Sequence, residues 1–314
     1  MFATLSCAFR QRTSAFSTMT MTVTATGTST KSGLWTPIAI DAAKKFGVSQ
    51  REKLGELGAL DQQFGPVQIV GEPINAVDRT INNDANTICT KVIHFQRHGQ
   101  GYHNLICDMW REAGKPIDFD STDPELNPVI RPEMVDPPLT ELGRQQCISV
   151  REGCSRLSPE LVIVSPLLRC IQTAKLSFRD HSDTATTPWV SHEGCREELG
   201  LLIGNKRRPI REIIEDHPEI DFGAIEHDED DLWDAYGDRR ETLLEKSARG
   251  YEFLEFVMQR LESEIAIISH SAYLFTLLNA VMDIEDEDLR SWFLTGEVRS
   301  LRVTYRKREE SDDN

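Results

Sequence analysis

Residues 91–104 read KVIHFQRHGQGYHN. The stretch begins as an apolar run that contains the β-branched pair Val92 and Ile93, and it changes at Arg97 and His98 into polar residues and glycine. This pattern predicts a buried strand whose carboxyl end opens into a site. Ligands of open α/β sheets bind outside the carboxyl ends of the strands, so the Arg-His pair is expected to face a crevice.

The composition is that of an ordinary soluble globular protein. The chain has 314 residues, of which 39% are hydrophobic and 27% charged, and this length suffices to bury a sizeable core. No apolar run approaches the roughly 20 residues needed to span a bilayer. We therefore expect no membrane partner.

The formal net charge of −16 argues against a nucleic-acid partner, because such proteins need a basic face to displace counterions. If the substrate is an anion, a locally positive pocket must attract it within a repelling surface. This arrangement favours a small anionic ligand over a polyanion.

The N-terminal region differs in composition from the rest of the chain. Residues 1–33 contain arginine, lysine and many serines and threonines but no acidic residue, which predicts either a disordered segment or a transit peptide for a mitochondrion or plastid. The alternative is a cytoplasmic protein. Residues 34–89 form an N-terminal extension of uncertain structure, with a short helix expected around 40–46.

Strands and helices are predicted to alternate through the rest of the chain. Further strands are expected at 160–166, 189–192, 264–270 and 301–306, with helices between them at 140–157, 167–178, 244–261 and 271–282. Such alternation predicts an α/β fold, a three-layer α/β/α sandwich with a mostly parallel central sheet. The expected domain covers 90–306, and a charged tail occupies 307–314.

Polar residues follow three of the buried strands. Arg97 with His98 follows the first, Arg169 lies just inside the helix after the second, and His270 ends a third. Arginine offers forked donors that match phosphate oxygens, and histidine offers a nucleophile or a second donor. Because such strand ends converge, these four residues predict a phosphate site.

The same motifs resemble those of the histidine phosphatase superfamily, in its phosphoglycerate mutase-like branch, and especially of its plant and fungal members. They occur in the family's order over about residues 90 to 275: RHGQGYHN, PLTELGRQQC, SPLLRCIQTA, REELG and ISHSAYL. The resemblance implies a phosphoglycerate mutase-like fold. It also implies that His98 attacks phosphorus and becomes a phosphohistidine.

The resemblance assigns roles to other residues as well. Arg97, Arg169 and His270 would hold the non-bridging phosphate oxygens, and Asn104 would line the same pocket. Glu197 would protonate the leaving alkoxide and then help to deprotonate water. The adjacent Glu198 is the alternative acid.

A basic cluster, Lys206, Arg207 and Arg208, follows the candidate acid. Arg207 and Arg208 could bind a second anionic group of the substrate, or the cluster could be a solvated surface patch. The acidic runs EHDEDDLWD and DIEDEDL lack the spacing of a calcium loop. The mechanism needs neither a metal nor a cofactor.

Together these features predict a metal-independent phosphatase that hydrolyses a small phosphorylated metabolite through a phosphohistidine. Two alternatives remain: phosphoryl transfer of the phosphoglycerate mutase type, and a non-catalytic phosphate-binding protein. The sequence does not specify an oligomeric state.

Overall fold

The computed structural model describes residues 34–35, 37–60, 62–74, 85–181 and 186–308. The predicted disordered or transit segment and residues 309–314 of the charged tail lie outside the described residues.

A central sheet of six strands organises the chain. In sheet order β1-β6-β2-β5-β3-β4, only β6 runs antiparallel to its neighbours, so the prediction of a mostly parallel sheet is confirmed. The strands are β1 (Val67–Pro73), β2 (Thr87–Arg97), β3 (Leu161–Val164), β4 (Trp189–Ser191), β5 (Glu264–Ser269) and β6 (Val298–Lys307).

Helices cover both faces of this sheet. They are α1 (Pro37–Glu56), α2 (Tyr102–Glu112), α3 (Glu141–Cys154), α4 (Leu168–Ser177), α5 (Ile210–Asp216), α6 (Asp231–Asp234), α7 (Leu243–Gln259), α8 (Ser271–Thr276) and α9 (Glu287–Arg290). A π-helical turn, Leu277–Val281, continues α8.

The period-two alternation of the strands decides which face each residue covers. Ile265 and Ile267 of β5 pack in one core cluster with residues of α7 and α8, whereas Ala266 and Ile268 pack in a second cluster with residues of α3 and α4. The three-layer α/β/α architecture is therefore confirmed.

Strand β1 was not predicted, and it lies in the extension before residue 90. It pairs antiparallel with β6 from Val67↔Lys307 to Pro73↔Leu301. Its short apolar pattern is interrupted by Gly71 and Pro73, two residues that are depleted in strands. Backbone hydrogen bonds to β6 stabilise the strand although its own residues have a weak preference for one. The sheet therefore begins before residue 90.

A close approach of two backbones positions the loop after β2. A Cβ atom at Gly99 would collide with the carbonyl of Gly143 in α3, and one at Gly143 would collide with the backbone of Gln100. Thr140 caps α3, as predicted, by accepting a hydrogen bond from Gly143 N at 3.0 Å. The loop that carries His98 is thereby pressed against the first turn of α3.

We expect Gly143→Ala to destabilise the fold by about 1 to 3 kcal/mol, because the added methyl group overpacks this contact. Gly55→Ala in α1 is the matched control, since its Cβ would meet only Leu60 Cδ1, at 3.7 Å. Alanine favours a helix over glycine by about 1 kcal/mol, so the control should be neutral or stabilising. Urea unfolding measures both, and equal stability of the two variants would refute the close approach.

Candidate active site

Three adjacent parallel strands, β2, β5 and β3, deliver the predicted site residues to one edge of the sheet. His98 follows β2, and His270 follows β5; their ring centroids lie 5.1 Å apart. The backbone N–H of His98 donates to the carbonyl of Ser269 at 3.0 Å, which fixes the two strand ends together. The structure thus brings together the two histidines that are far apart in sequence.

His98 is held in one tautomer. Its Nδ1 lies 2.6 Å from the carbonyl oxygen of Gly99, and a carbonyl only accepts, so Nδ1 carries the proton and Nε2 keeps its lone pair. Burial, followed by the charges of Arg169 and Arg97, holds the pKa of His98 well below its ordinary value. The ring is a neutral imidazole with a free nucleophilic nitrogen.

Two guanidinium groups beside His98 are buried but bound by neutral acceptors. Arg97 Nη1 donates to the carbonyl of Phe293 at 2.7 Å. Arg169 Nη1 donates to the carbonyl of Gly204 at 2.7 Å, and its Nη2 donates to Asn205 Oδ1 at 3.0 Å. Arg169 is 0% exposed and Arg97 is 9% exposed. Within the described part of the chain neither forms an ion pair, and the Nε of each has no partner.

Nearby buried arginines that have structural roles are paired with carboxylates. Arg196 forms a bidentate pair with Asp230 at 2.7 and 2.6 Å, and Arg249 is bound to Glu241. Burial lowers the pKa of Arg97 to about 10, with Glu197 the strongest opposing charge, so the group stays cationic at neutral pH. Burying a charge without a bonded counterion is costly. The pocket is therefore suited to an anion.

The carboxylate of Glu197 lies at the amino end of α8, the helix that begins directly after His270. Its carboxylate accepts hydrogen bonds from the backbone N–H groups of Tyr273 at 3.0 Å and Ala272 at 3.2 Å. Arg249 donates to the backbone carbonyl of Glu197 at 3.3 Å, so α7 holds the loop in place. These contacts orient Glu197 toward Arg97 and Arg169, whose cationic forms it favours.

Glu198 faces away from this pocket. Its carboxylate binds Lys246 Nζ at 2.7 Å and also Arg240 Nε. Lys246 is 1% exposed, so Glu198 compensates a buried charge. The geometry favours Glu197 over Glu198 as the group available to a substrate.

Asn104 and His103 lie on the first turn of α2. Asn104 Oδ1 accepts from the N–H of Gly101 at 3.0 Å, and among the described residues its Nδ2 makes no hydrogen bond. The ring of His103 lies 5.3 Å from that of His98, and a Cβ at Gly101 would come within 2.7 Å of it. The absence of a side chain at Gly101 therefore leaves room for the His103 ring beside the pocket.

The structure does not bring Arg207 to the pocket. Its side chain is 1% exposed, and all five N–H donors are used: it binds Glu193 at 2.5 Å and the carbonyls of Arg208, His227, Asp228 and Glu229. The contacts observed for Arg207 are structural, because this arginine anchors the acidic loop.

The other members of the basic cluster are also paired. Arg208 binds Asp136 at 3.4 Å and Asp216 at 2.9 Å, and Lys206 pairs with Asp234. The cluster is therefore more than a solvated basic patch, because its side chains form ion pairs with neighbouring segments.

Three residues of the site environment were not identified from the sequence. Ser165 Oγ lies 2.9 Å from His270 Nε2, Asn205 holds Arg169, and Asp136 accepts from Leu168 N at 2.7 Å at the start of α4. Ser165 follows β3 and the rule of polar strand ends would have found it. No comparable local signal marks Asn205 or Asp136.

Two kinds of site are absent from the described residues. No group of three or more histidines, cysteines, aspartates or glutamates is arranged there to hold a metal ion. Nor does that part of the chain contain a helix of the length and apolarity that a membrane span requires.

Comparisons with known proteins give a family match and several similar proteins. Residues 130–311 match the model of the histidine phosphatase superfamily (branch 1), a span that begins after His98. The chain is 33% identical over 256 residues to phosphoglycerate mutase-like protein 1 of Arabidopsis thaliana, covering 71% of this chain and 85% of that protein. It is 34% identical over 218 residues to another phosphoglycerate mutase-like protein of that plant, covering 60% and 74%. A solved phosphoglycerate mutase from Bacillus anthracis is 15% identical, with a TM-score of 0.43, and covers 71% of this chain and 93% of that chain.

We expect Glu198→Gln to lower the free energy of unfolding by about 3 kcal/mol at neutral pH, because Lys246 is left buried without its counterion. Glu152→Gln, at an exposed pair with Arg156, is the control and should cost well under about 1 kcal/mol. Urea unfolding across pH provides the measurement.

The pH dependence has a defined sign. Burial alone would raise the pKa of Glu198, but Lys246 and Arg240 hold it below 4.5. The advantage of the native residue should thus be full above about pH 4.5 and should fall as the pH drops through the lower folded-state value. A Glu198→Gln deficit that persists undiminished in acid would contradict this assignment.

Proposed function

Because the chain belongs to the histidine phosphatase superfamily, we propose that it is a metal-independent phosphatase that hydrolyses a small phosphorylated metabolite through a phosphohistidine at His98. The proposal is supported above all by one observation. Arg97 and Arg169 are buried beside a neutral histidine and hydrogen-bond only to neutral acceptors. A phosphate dianion is the kind of group that would compensate them.

In the first step, Nε2 of His98 attacks phosphorus as the ester oxygen leaves. The hydrogen bond from Nδ1 to Gly99 stabilises the ring as positive charge develops on it. Arg97, Arg169, Asn104 and His270 would bind the non-bridging oxygens, whose charge must be stabilised in the transition state.

In the second step, water attacks the phosphohistidine and releases inorganic phosphate. Glu197 would give a proton to the departing alkoxide in the first step and take one from this water in the second. Its position on the first amides of α8, beside both arginines, supports this role.

Phosphoryl transfer of the mutase type is the second candidate. It is favoured by the names of the curated relatives, which are phosphoglycerate mutase-like proteins. The paired basic cluster weighs against it, since neither Arg207 nor Lys206 is free to hold a second phosphate group. Incubation with 3-phosphoglycerate discriminates the two functions, because a mutase yields 2-phosphoglycerate and a phosphatase yields free phosphate.

A phosphate-release assay over a broad panel of phosphorylated metabolites tests the proposal. The native protein should release phosphate from at least one compound and take up an acid-labile phosphoryl label. His98→Ala should lose both by a factor of at least about 10³, because the nucleophile is absent. His181→Ala, a histidine bonded to Cys154 O away from the site, is the control. Release without any label on the native protein would exclude the phosphohistidine, and a native protein that neither releases phosphate from the panel nor takes up the label would contradict the phosphatase proposal.

The substitution Glu197→Gln tests whether Glu197 protonates the leaving group. For an alkyl phosphate the variant should lose about 10² to 10⁴ in kcat, whereas p-nitrophenyl phosphate should be affected much less, because its leaving group needs no proton. Equal losses on both substrates would remove the acid role from Glu197.

A further inference from the structure

A cavity distinct from the catalytic pocket lies between α1 and the body of the domain. Its volume is about 440 Å³, and it is lined by one face of α1, the end of α8 with its π-helical turn, and the segment 287–299. Phe46 of α1 packs edge-on against Trp292, a residue of the cavity wall, with the ring centroids 4.6 Å apart.

Two arginines that line this cavity, Arg51 and Arg290, have no bonded counterion among the described residues. Within the described ranges, the guanidinium groups of Arg51 and Arg290 make neither a hydrogen bond nor an ion pair, and Arg290 Nε is buried. Burial and then the charge of Arg51 lower the pKa of Arg290, against the weaker influence of Glu287. A third arginine in the wall, Arg299, has its donors occupied by Glu297 and by backbone carbonyls. Arg299 is therefore not available to a ligand, in contrast to Arg51 and Arg290.

Asn279 adds an unused acceptor to the same cavity. It is 8% exposed, and its Nδ2 donates to the carbonyls of Phe275 and Arg290, both at 2.9 Å. Its Oδ1 has no partner among the described residues. Asn279 belongs to the π-helical turn, a rare feature that occurs frequently at functional sites.

We propose that this cavity is a second ligand site, for a small phosphorylated compound that carries a free hydroxyl group. The forked donors of Arg51 and Arg290 match phosphate oxygens, and the hydroxyl would donate to Asn279 Oδ1, so each unsatisfied group gains a partner. The exposed carboxylates of Glu287 and Asp288 line the same cavity and disfavour larger polyanions.

The cavity shares a wall with the catalytic pocket. The Phe293 carbonyl accepts from Arg97 Nη1 at 2.7 Å, and the Glu297 carbonyl accepts from Arg97 N at 3.1 Å. Arg299 donates to the carbonyls of Ser291 and Trp292 on the cavity side of this segment. A ligand that fixes the segment would act on the position of Arg97.

Isothermal titration calorimetry tests the site on the full chain. The probes are two phosphonates of similar size that cannot be hydrolysed, 2-hydroxyethylphosphonate and propylphosphonate. The native protein should bind 2-hydroxyethylphosphonate at the cavity at least tenfold more tightly than propylphosphonate. Arg51→Gln/Arg290→Gln should remove one binding event per chain, whereas Arg111→Gln/Arg144→Gln removes the same charge from exposed positions outside the cavity and should remove none.

The outcomes separate this site from the catalytic one. Two events in the native protein that become one in the cavity variant support the proposal. A single native event that the cavity variant loses also supports it, and would count against the proposed phosphate pocket instead. An unchanged number of events in the folded cavity variant, or equal affinity for the two phosphonates at the cavity, would overturn it.

Discussion

The burial of two unpaired guanidinium groups is the constraint on which the site depends. Arg97 and Arg169 sit at the carboxyl edge of the sheet and donate to carbonyls and to a side-chain amide. Neutral acceptors orient a guanidinium group without cancelling its charge. The positive potential therefore stays available to an anion, and it adds to burial, the larger cause, in holding the pKa of His98 well below its ordinary value. Under the proposed function, this one arrangement would both bind phosphate and leave Nε2 of His98 with a free lone pair.

The other buried charges near the site that are discussed above are all paired. Two ion pairs hold the 194–205 segment, one between Arg196 and Asp230 and the other between Arg249 and Glu241. Asn205, at the end of this segment, accepts a hydrogen bond from Arg169 and fixes its position. Buried ion pairs add little net stability when compared with apolar packing. Their contribution here is geometric, because they fix the carbonyls and the carboxylate that face the pocket.

Local pattern was sufficient for most of the fold. The apolar runs that became β2, β3 and β5 are short, β-branched and bounded by polar residues, and the Thr140 cap marks the start of α3. Strand β1 and helix α2 were missed for a common reason. Val67–Pro73 contains strand breakers, and Tyr102–Glu112 follows a glycine-rich loop, so contacts distant in sequence stabilise both elements. Helix α1 proved longer than the segment 40–46, and near its end Leu54 is buried in a cluster with Phe275 and Ala280.

The sequence alone determined that His98, Arg169 and His270 would meet, because residues just after parallel strands converge whatever the loops do. It could not choose between Glu197 and Glu198, and it left Arg207 as a candidate substrate contact. The structure holds these side chains through partners 14 to 76 positions away in the chain: Lys246 and Arg240 hold Glu198, the amides of Ala272 and Tyr273 hold Glu197, and Glu193 with the acidic loop holds Arg207. Neighbouring side chains on a loop have no periodicity to fix their directions, so only tertiary contacts decide which of them faces the pocket.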